Sequence, residues 1–596
     1  MKNGFPSHPR RISRFRIGVV CLVLLAAAGS SLAATFTVNS TADAVDSTPG
    51  NGVCATAGGV CTLRAAIQET NVLAGGPHTI ILPAGTYLLT RAGTGEDSAS
   101  TGDLDIRNTL TSTGAGAQST IIDANNLDRC FDVSFGFSLS LSGVTVQNGN
   151  AGNAPGGGFN VLGSTLTLTD STIKTSTAGQ GGAIELGDAT AVANLTRVTL
   201  SGNTATGNDG GGIDLFNGKA NLVNVTMSGN ATTSGVGEGG AIYMDGNGAS
   251  ATLTNCTLAS NSSTVGGGGL RRNRGSMSLK NTIVASNTGG NCSGTITSNG
   301  NNLDSANTCA FTGPGDQNNT NPLLGTLQNN GGPTDTHALL AGSPAIDAGT
   351  ATGAPATDQR GVARPQGAGY DIGAFEGTSA NINGKVFEDV NYGGGAGRNW
   401  ATASANGGSA RSSVRVELYN NAGAYVIAVA TDGSGNYSFA GLGAGSYTIR
   451  VVDNTVTSSR GGSGLLPVLT YRTNAGSGTA VGVTDYVGGQ NPAVADAPYG
   501  AAGAVMNTTT GVFTAGIAGT AQSFAPVTIS TGTVSGVDFG LNFDTIVNTN
   551  NAGRGSLRQF LTTANALGNG GLAQAGRTAG IESAIFMISN GTSASG

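Results

Sequence analysis

The feature that most constrains this chain is an internal repeat between residues 181 and 287. Each copy opens with paired glycines and an aliphatic residue, and short Val-, Ile-, Leu- and Thr-rich runs then alternate with turn residues. A single copy cannot bury its apolar side, whereas stacked copies can. The period predicts a right-handed parallel β-helix and is too short for a β-propeller, whose blades need about 40–45 residues. The repeated aliphatic residues lie 29, 29 and 28 residues apart: Ile184, Ile213, Ile242 and Leu270.

The repeats also place asparagine at a constant position. Asn203, Asn230 and Asn261 each follow the Thr of their own run by four residues. Stacked rungs lie about 4.8 Å apart, so equivalent side chains form ladders. We therefore predict a turn ladder in which side-chain amides hydrogen-bond from rung to rung.

Composition and the N-terminus indicate export. Charged residues are 10% of the chain, against an ordinary ~25%, and the net charge of −6 argues against nucleic acid as a partner. Basic residues up to Arg16 precede a short apolar run, Ile17 to Ala28, and Ser31-Leu32-Ala33 offers a cleavage site. Residues 1–33 are predicted to be a secretory signal peptide, and no other stretch could span a membrane. The protein is expected to be secreted or on the cell surface.

Six cysteines remain after cleavage at this site. An exported protein can form disulfides. Two close pairs lie in Gly- and Asn-rich loops, and we predict the disulfides Cys54–Cys61 and Cys292–Cys309. Cys130 and Cys256 lie in apolar strand contexts and are predicted to be buried free thiols.

A short amphipathic helix is predicted after Cys61. Thr62 can cap it, and Leu63 and Ile67 lie on one face. Such a helix would cover the apolar end of the stack within an N-terminal cap, residues 34–103. Ser556-Leu557-Arg558 repeats this segment 494 residues later, so residues 544–596 are predicted to cap a second β-helix. We expect the chain to be the N-terminal part of a longer protein or a truncated one.

Two motif sets carry a family resemblance over roughly residues 34–377. Cys61 to Ile67 resembles the signature of bacterial proteins named for a Cys-Ser-Leu-Arg-Glu-Ala-Ile motif, with differences at Thr62 and Ala65. Residues 321–377 resemble the choice-of-anchor Q domain, which closes many secreted β-helices of the pectate-lyase-like superfamily. The resemblance implies a secreted or cell-surface protein and assigns no functional residues. The motifs of the second set are Asn321-Pro322-Leu323-Leu324, Asn329-Asn330-Gly331-Gly332-Pro333-Thr334, Ser343-Pro344-Ala345-Ile346-Asp347-Ala348-Gly349, Asp358-Gln359-Arg360-Gly361 and Asp371-Ile372-Gly373-Ala374-Phe375-Glu376.

Residues 381–543 have a different pattern, in which strands alternate with period two. A β-sandwich with a loop-rich extension over residues 456–535 would explain it. The motif Gly384 to Asn391, with Gly435 to Phe439, is similar to the B-type repeats of staphylococcal Sdr adhesins. Those spacer domains often bind calcium. Asp389 and Asn391 are the candidate calcium ligands here, but the following loop lacks acidic residues, and an ordinary turn is the simpler interpretation.

The repeats offer one candidate for chemistry. The residue after each repeated aliphatic should point outward. Glu185 and Asp214 would then lie about 5 Å apart on neighbouring rungs, where they could share a proton, bind calcium or act as a retaining glycosidase pair. Tyr243 could stack on a sugar and Arg271 could hold a uronate carboxylate. The simplest interpretation is a solvated strand face with mixed polar residues.

Two functional hypotheses follow from these patterns. The first is a secreted structural or adhesive rod that binds extracellular polysaccharide or a host surface. The second is an extracellular polysaccharide lyase or glycoside hydrolase of pectate-lyase-like fold. The first is favoured because function must be argued from a site, and the only histidines, His8, His78 and His337, lie outside the repeats.

Overall fold

The structure is a computed structural model, and it describes residues 33–588 except 341, 378–379, 444, 475–480, 484–486, 530–531 and 571. The predicted signal peptide, apart from Ala33, lies outside the described residues. Throughout the described ranges the chain is mainly strand, as the all-β prediction requires. None of the helices described is both long and apolar enough to cross a membrane.

The N-terminal half is a parallel β-helix, which confirms the predicted fold class. Its strands stack in parallel into sheets of seventeen, eight and three strands. The strands are β1 (Thr35–Thr37), β2 (His78–Leu82), β3 (Gly85–Leu88), β4 (Leu104–Ile106), β5 (Leu110–Gly114), β6 (Thr120–Asp123), β7 (Phe131–Val133), β8 (Ser138–Ser142), β9 (Thr145–Gln147), β10 (Phe159–Val161), β11 (Thr165–Thr169), β12 (Thr172–Lys174), β13 (Thr177–Ala178), β14 (Ile184–Leu186), β15 (Val192–Ser201), β16 (Thr204–Ala205), β17 (Ile213–Leu215), β18 (Lys219–Ser228), β19 (Ala231–Thr232), β20 (Ile242–Met244), β21 (Ser250–Thr254), β22 (Thr257–Ala259), β23 (Leu270–Arg272), β24 (Ser276–Lys280), β25 (Ile283–Ala285), β26 (Cys292–Ser293), β27 (Thr297–Ser298) and β28 (Leu303–Asp304).

The repeated aliphatic residues stack on one another inside this coil. Ile184 pairs with Ile213, Ile213 with Ile242, and Ile242 with Leu270. All four are fully buried. Full burial of one such side chain stabilises the fold by about 1.5–3 kcal/mol, so the ladder is a main source of stability.

The predicted asparagine ladder is confirmed and is longer than expected. Asn203 Nδ2 donates to Asn230 Oδ1 at 2.8 Å, and Asn230 donates in turn to Asn261 at 2.9 Å. The chain of amides continues through Asn287 to Asn291 at the same spacing. Each amide is satisfied by its neighbour, so a buried polar row is compatible with the apolar core.

Helix α1 (Leu63–Val72) covers the end of the β-helix, as predicted. The hydroxyl of Thr62 caps it by accepting a hydrogen bond from the N–H of Ala65 at 3.1 Å. Arg64 is buried, pairs with Asp43 at 2.5 Å, and donates to backbone carbonyls between residues 99 and 103. These bonds tie the cap to the neighbouring rung. Both predicted disulfides, Cys54–Cys61 and Cys292–Cys309, are present, and Cys130 and Cys256 are buried free thiols.

Residues 321–377, named the strap here, lie along one side of the β-helix and carry the antiparallel pair β29 (Leu324–Gln328) and β30 (Thr336–Leu339). Gln359 fixes the strap by donating to Thr199 Oγ1 at 2.9 Å and accepting from Thr226 Oγ1 at 2.7 Å. His337 lies in β30. Its ring contacts the Gly325 carbonyl and the Ser228 hydroxyl, because the strap folds its short strand directly onto the coil.

The following residues form two further sheets that share one hydrophobic core. One sheet has six strands, in which β31 lies between β32 and β42, and the other has four in the order β34-β33-β36-β41. The segment expected to be loop-rich supplies three of these strands, β37, β38 and β41. The strands are β31 (Ala380–Glu388), β32 (Ser409–Ala410), β33 (Arg415–Asn420), β34 (Tyr425–Ala430), β35 (Asn436–Leu442), β36 (Gly445–Val451), β37 (Val468–Asn474), β38 (Val481–Val483), β39 (Val505–Met506), β40 (Phe513–Ala515), β41 (Ser523–Ile529) and β42 (Phe539–Asn542), with helix α2 (Trp400–Ala405) between β31 and β32.

The last described segment repeats the cap. Helix α3 (Leu557–Ala566) starts after Ser556, whose hydroxyl accepts from the N–H of Gln559 at 3.1 Å. Strands β43 (Thr545–Ile546) and β44 (Ile585–Phe586) pair in parallel, as β1 and β2 do. Eight residues of α1 are buried, but in α3 only Thr563 is. The local sequence therefore determines where both helices form. The β-helix coil that packs against α1 accounts for the burial of α1.

Candidate functional site

The middle residues of the strands in the eight-stranded sheet form one row along the coil. Glu185 lies opposite Asp214, Asp214 opposite Tyr243, and Tyr243 opposite Arg271, with about 4.8 Å between neighbouring strands. The structure thus brings together the four residues that the sequence singled out. We name the row the central column, and its members are Asp105, Asp132, Asn160, Glu185, Asp214, Tyr243 and Arg271.

The expectation that this row is a solvated face was wrong for most of it. Glu185 is 2% exposed, Asp214 5% and Tyr243 8%. The cause is the glycine turn before each strand, which folds back over the side chain that follows. A Cβ on Gly181 would lie 2.9 Å from Glu185 Oε2, and both Gly181 and Gly210 have positive φ. The paired glycines therefore let the backbone seal the carboxyl groups.

Glu185 and Asp214 form a buried pair of carboxyl groups. Burial raises the pKa of Glu185 to about 8, and burial together with the charge of Glu185 raises the pKa of Asp214 well above its usual range. Gln180 Nε2 donates to Glu185 Oε1 at 3.4 Å. Among the described residues, Glu185 Oε2, Asp214 Oδ1 and Asn160 Oδ1 have no hydrogen-bond partner. A proton held by the pair at neutral pH would relieve the repulsion between two buried charges.

The N-terminal end of the central column holds a second group of carboxyls. Burial and the neighbouring carboxylates raise the pKa of Asp103 to about 8, and burial raises that of Asp105 to about 7. Arg129 lies between Asp103 and Asp132, at 3.4 and 3.1 Å. Arg129 is therefore shared by two of these acids, and burial favours the protonated form of Asp103 and Asp105.

The arginines lie at the C-terminal end of the central column, where carboxylates form ion pairs with them. Arg271, expected to be free for a uronate, pairs with Glu238 at 3.0 Å and donates to Ser293 Oγ at 2.6 Å. Arg274 pairs with Asp245 at 2.9 Å. Both arginines are therefore neutralised by carboxylates on adjacent turns.

An exposed apolar row borders the central column, and it was not predicted. Phe135 is 72% exposed, Leu162 40% and Phe216 53%. They follow the ends of strands β7, β10 and β17, and we name them the apolar rim. A Cβ on Gly187 would lie 2.8 Å from Leu162 Cδ2 and 3.8 Å from Glu185 Oε1, so rim and carboxyls adjoin. The sequence signal that could have predicted the rim was an apolar residue just beyond the end of each of these strands.

The two predicted calcium ligands lie elsewhere and have protein partners. Arg398 forms a two-pronged ion pair with Asp389, whose side chain is fully buried. Asn391 donates to the carbonyl of Asn406 at 2.7 Å and accepts from the N–H of Ala573 at 2.7 Å. In the described ranges, no group of three or more His, Cys, Asp or Glu side chains is arranged to hold a metal ion.

These observations limit what the central column can do. A retaining glycosidase needs two carboxyls that both reach the sugar, about 5–5.5 Å apart. The spacing of Glu185 and Asp214 is suitable, but the turns cover both groups. The exposed apolar rim and the carboxylates around it form the accessible part of this face, and that combination suits binding.

Comparisons with known proteins add little on function. No protein-family model matches the chain, and no curated protein matches it. Among solved structures, the crystal structure of pectate lyase Pel9A is similar, at 17% sequence identity and a TM-score of 0.28. The likeness covers 58% of this chain and 97% of that one. A similarity of this size supplies no argument about activity.

Proposed function

We propose that this chain is a secreted or cell-surface structural protein that binds polysaccharide along the exposed face of its eight-stranded sheet. The observation that carries the proposal is the contrast in exposure on that face. Glu185 and Asp214 are 2% and 5% exposed, whereas Phe135 and Phe216 are 72% and 53% exposed. A polymer can therefore rest on the rim, but it cannot reach the carboxyl pair without moving the glycine turns.

The organisation of the chain supports an extracellular, elongated molecule. The predicted signal peptide and the two disulfides suit export. We divide the chain into a β-helix at 34–377, a spacer at 381–543 and a second cap at 544–596. Stacked rungs give a surface that repeats along one axis, as an extended polymer also does. The resemblances to the choice-of-anchor Q domain and to Sdr spacers fit an adhesive role.

An extracellular lyase or glycoside hydrolase is the second candidate. It is favoured by one observation, that Glu185 has a pKa raised to about 8 beside a second carboxyl, as a general acid requires. Under this alternative the turns at Gly181 and Gly210 would open when substrate binds. The same experiment separates the two candidates.

The test mixes the full chain with neutral, acidic and amino-sugar polysaccharides, with and without calcium, and records retention and new chain ends. We expect retention without new chain ends. New chain ends that disappear in Glu185→Gln and Asp214→Asn would establish the enzyme instead. If no polysaccharide is retained, the binding proposal fails.

A further inference from the structure

The stretch of the second cap between α3 and β44 is named the latch segment here, and it comprises residues 568–582. Apart from one residue outside the described ranges, the structure shows no helix or strand in it. The N–H of Gly568 donates to the carbonyl of Arg460 at 3.2 Å, and the N–H of Ala573 donates to Asn391 Oδ1 at 2.7 Å. Because no backbone ladder fixes the latch segment, its docking on the spacer depends on individual contacts of this kind.

Arg460 contacts the latch segment at both of its ends. It lies in the connection between β36 and β37, and its carbonyl accepts the bond from Gly568. Its Nη1 donates to both carboxylate oxygens of Glu582, at 2.9 and 2.8 Å, and its Nη2 donates to Asp544 Oδ1 at 2.6 Å. The carbonyl of Asp544 in turn accepts from the N–H of Ile585 in β44. The three charged side chains are 4%, 8% and 0% exposed, so they form a buried triad where the spacer, the start of the cap and the latch segment meet.

This triad contains one more acid than base. With both carboxyls ionised it carries an uncompensated buried negative charge, and Asp544 Oδ2 has no hydrogen-bond partner among the described residues. A proton on one carboxyl removes the excess charge and forms a hydrogen bond between Asp544 and Glu582. The charged groups on the elements packed around the triad do not supply a further cation, because they are already in ion pairs: Glu388 with Arg411, Asp389 with Arg398, and Asp453 with Arg554.

We propose that Arg460, Asp544 and Glu582 form a pH-sensitive latch, which holds the latch segment on the spacer while the two carboxyls share a proton and releases it when both are ionised. Burial and the hydrogen bond with Glu582 raise the pKa of Asp544 from 3.8 to about 8. The contribution of the latch to docking is therefore fully present below pH 3.8 and is lost as the pH rises through about 8. Release loosens the chain that leads into β44, whose Ile585 packs in a buried cluster with Tyr392. This inference is independent of polysaccharide binding.

The test measures hydrogen exchange of the full chain at pH 6 and pH 9, with labelling times scaled to the intrinsic exchange rate at each pH. Deprotonation over this range should lower the fraction of docked latch segment relative to released segment by up to about 100-fold. Peptides from residues 568–582 should therefore exchange much faster at pH 9 than at pH 6. Peptides from α1, which is packed against the β-helix, should show little change and serve as the internal reference.

Two variants test whether the triad causes this change. Asp544→Asn and Glu582→Gln each remove the excess charge and keep an amide that donates to the remaining carboxylate, so either variant should exchange at pH 9 nearly as slowly as at pH 6. Asp432→Asn, at an exposed acid in the turn between β34 and β35, is the matched control and should keep the full pH effect. Equal scaled exchange of residues 568–582 at the two pH values in the parent chain would overturn the latch. A pH effect of the same size in α1, or one that both triad variants retain, would overturn it as well.

Discussion

Two polar rows run along the same β-helix, and they differ in how their hydrogen bonds are satisfied. In the turn ladder, each amide from Asn203 to Asn291 donates to the next. In the central column, oxygens of Asn160, Glu185 and Asp214 have no partner among the described residues. Identical amides bond to each other, whereas neighbouring carboxylates repel. The first row stabilises the coil, whereas the second holds a buried pair of acids that costs stability once it is ionised, as functional surfaces often do.

The largest loss of stability is expected when the fully hydrogen-bonded asparagine ladder is broken. Asn230→Ala would leave Asn203, Asn261 and the carbonyl of Leu200 without their buried partner. We expect a loss of about 3 kcal/mol in the free energy of unfolding, measured by urea denaturation. Asn221→Ala in β18, the strand that ends two residues before Asn230, removes only an exposed amide bond and should cost under about 0.5 kcal/mol. Equal losses from the two variants would contradict the role assigned to the ladder.

A smaller effect on stability, with a defined sign, is expected from the central column, which contains buried oxygens without hydrogen-bond partners. The pKa of Glu185 is raised from 4.5 to about 8 in the folded state, so its contribution to stability is fully present below pH 4.5 and is lost as the pH rises toward 8. Glu185→Gln should remove that part of the pH dependence and stabilise the protein at pH 8 by about 2 kcal/mol. Thermal unfolding across this range provides the measurement, with Asp188→Asn as the control. A variant less stable than the parent at pH 8 would rule out the charge-pair explanation.

The smallest effect on stability is expected at Arg271, the residue of the central column that already forms an ion pair with Glu238. Arg271→Met removes a part-buried ion pair with Glu238 and should cost about 1 kcal/mol of stability. A double-mutant cycle with Glu238→Gln isolates that coupling. Because Glu238 and Ser293 already hold the Arg271 side chain, its removal should leave polysaccharide retention unchanged. Loss of galacturonate binding in this variant would instead support the uronate role first considered for Arg271.

Much of the fold followed from local patterns in the sequence. The 28–29-residue period located the Ile184 ladder, the asparagine spacing located the amide row, and Thr62 and Ser556 marked both cap helices. These features depend on residues close in sequence or repeated at a fixed interval. The register of Glu185 and Asp214 was predictable for the same reason.

Burial was not predictable, because it depends on what lies over a strand. The turns at Gly181 and Gly210 cover the carboxyls, and paired glycines alone do not indicate which way a turn folds. The pairing of Arg271 with Glu238 joins residues of different turns that no local pattern connects. The apolar rim was overlooked because Phe135, Leu162 and Phe216 are irregularly spaced in sequence, and Phe135 lies one residue outside the register that Leu162 and Phe216 share.

The central claim is that polysaccharide binds on the face of the eight-stranded sheet and is not cleaved. The most direct test is hydrogen exchange of the full chain with and without the polysaccharide it retains best, with chain ends measured in the same samples. The account predicts added protection confined to residues 131–216 and the adjacent turns, with no new chain ends. Protection on the sheets of residues 380–543 instead, or new chain ends that depend on Glu185, would contradict it.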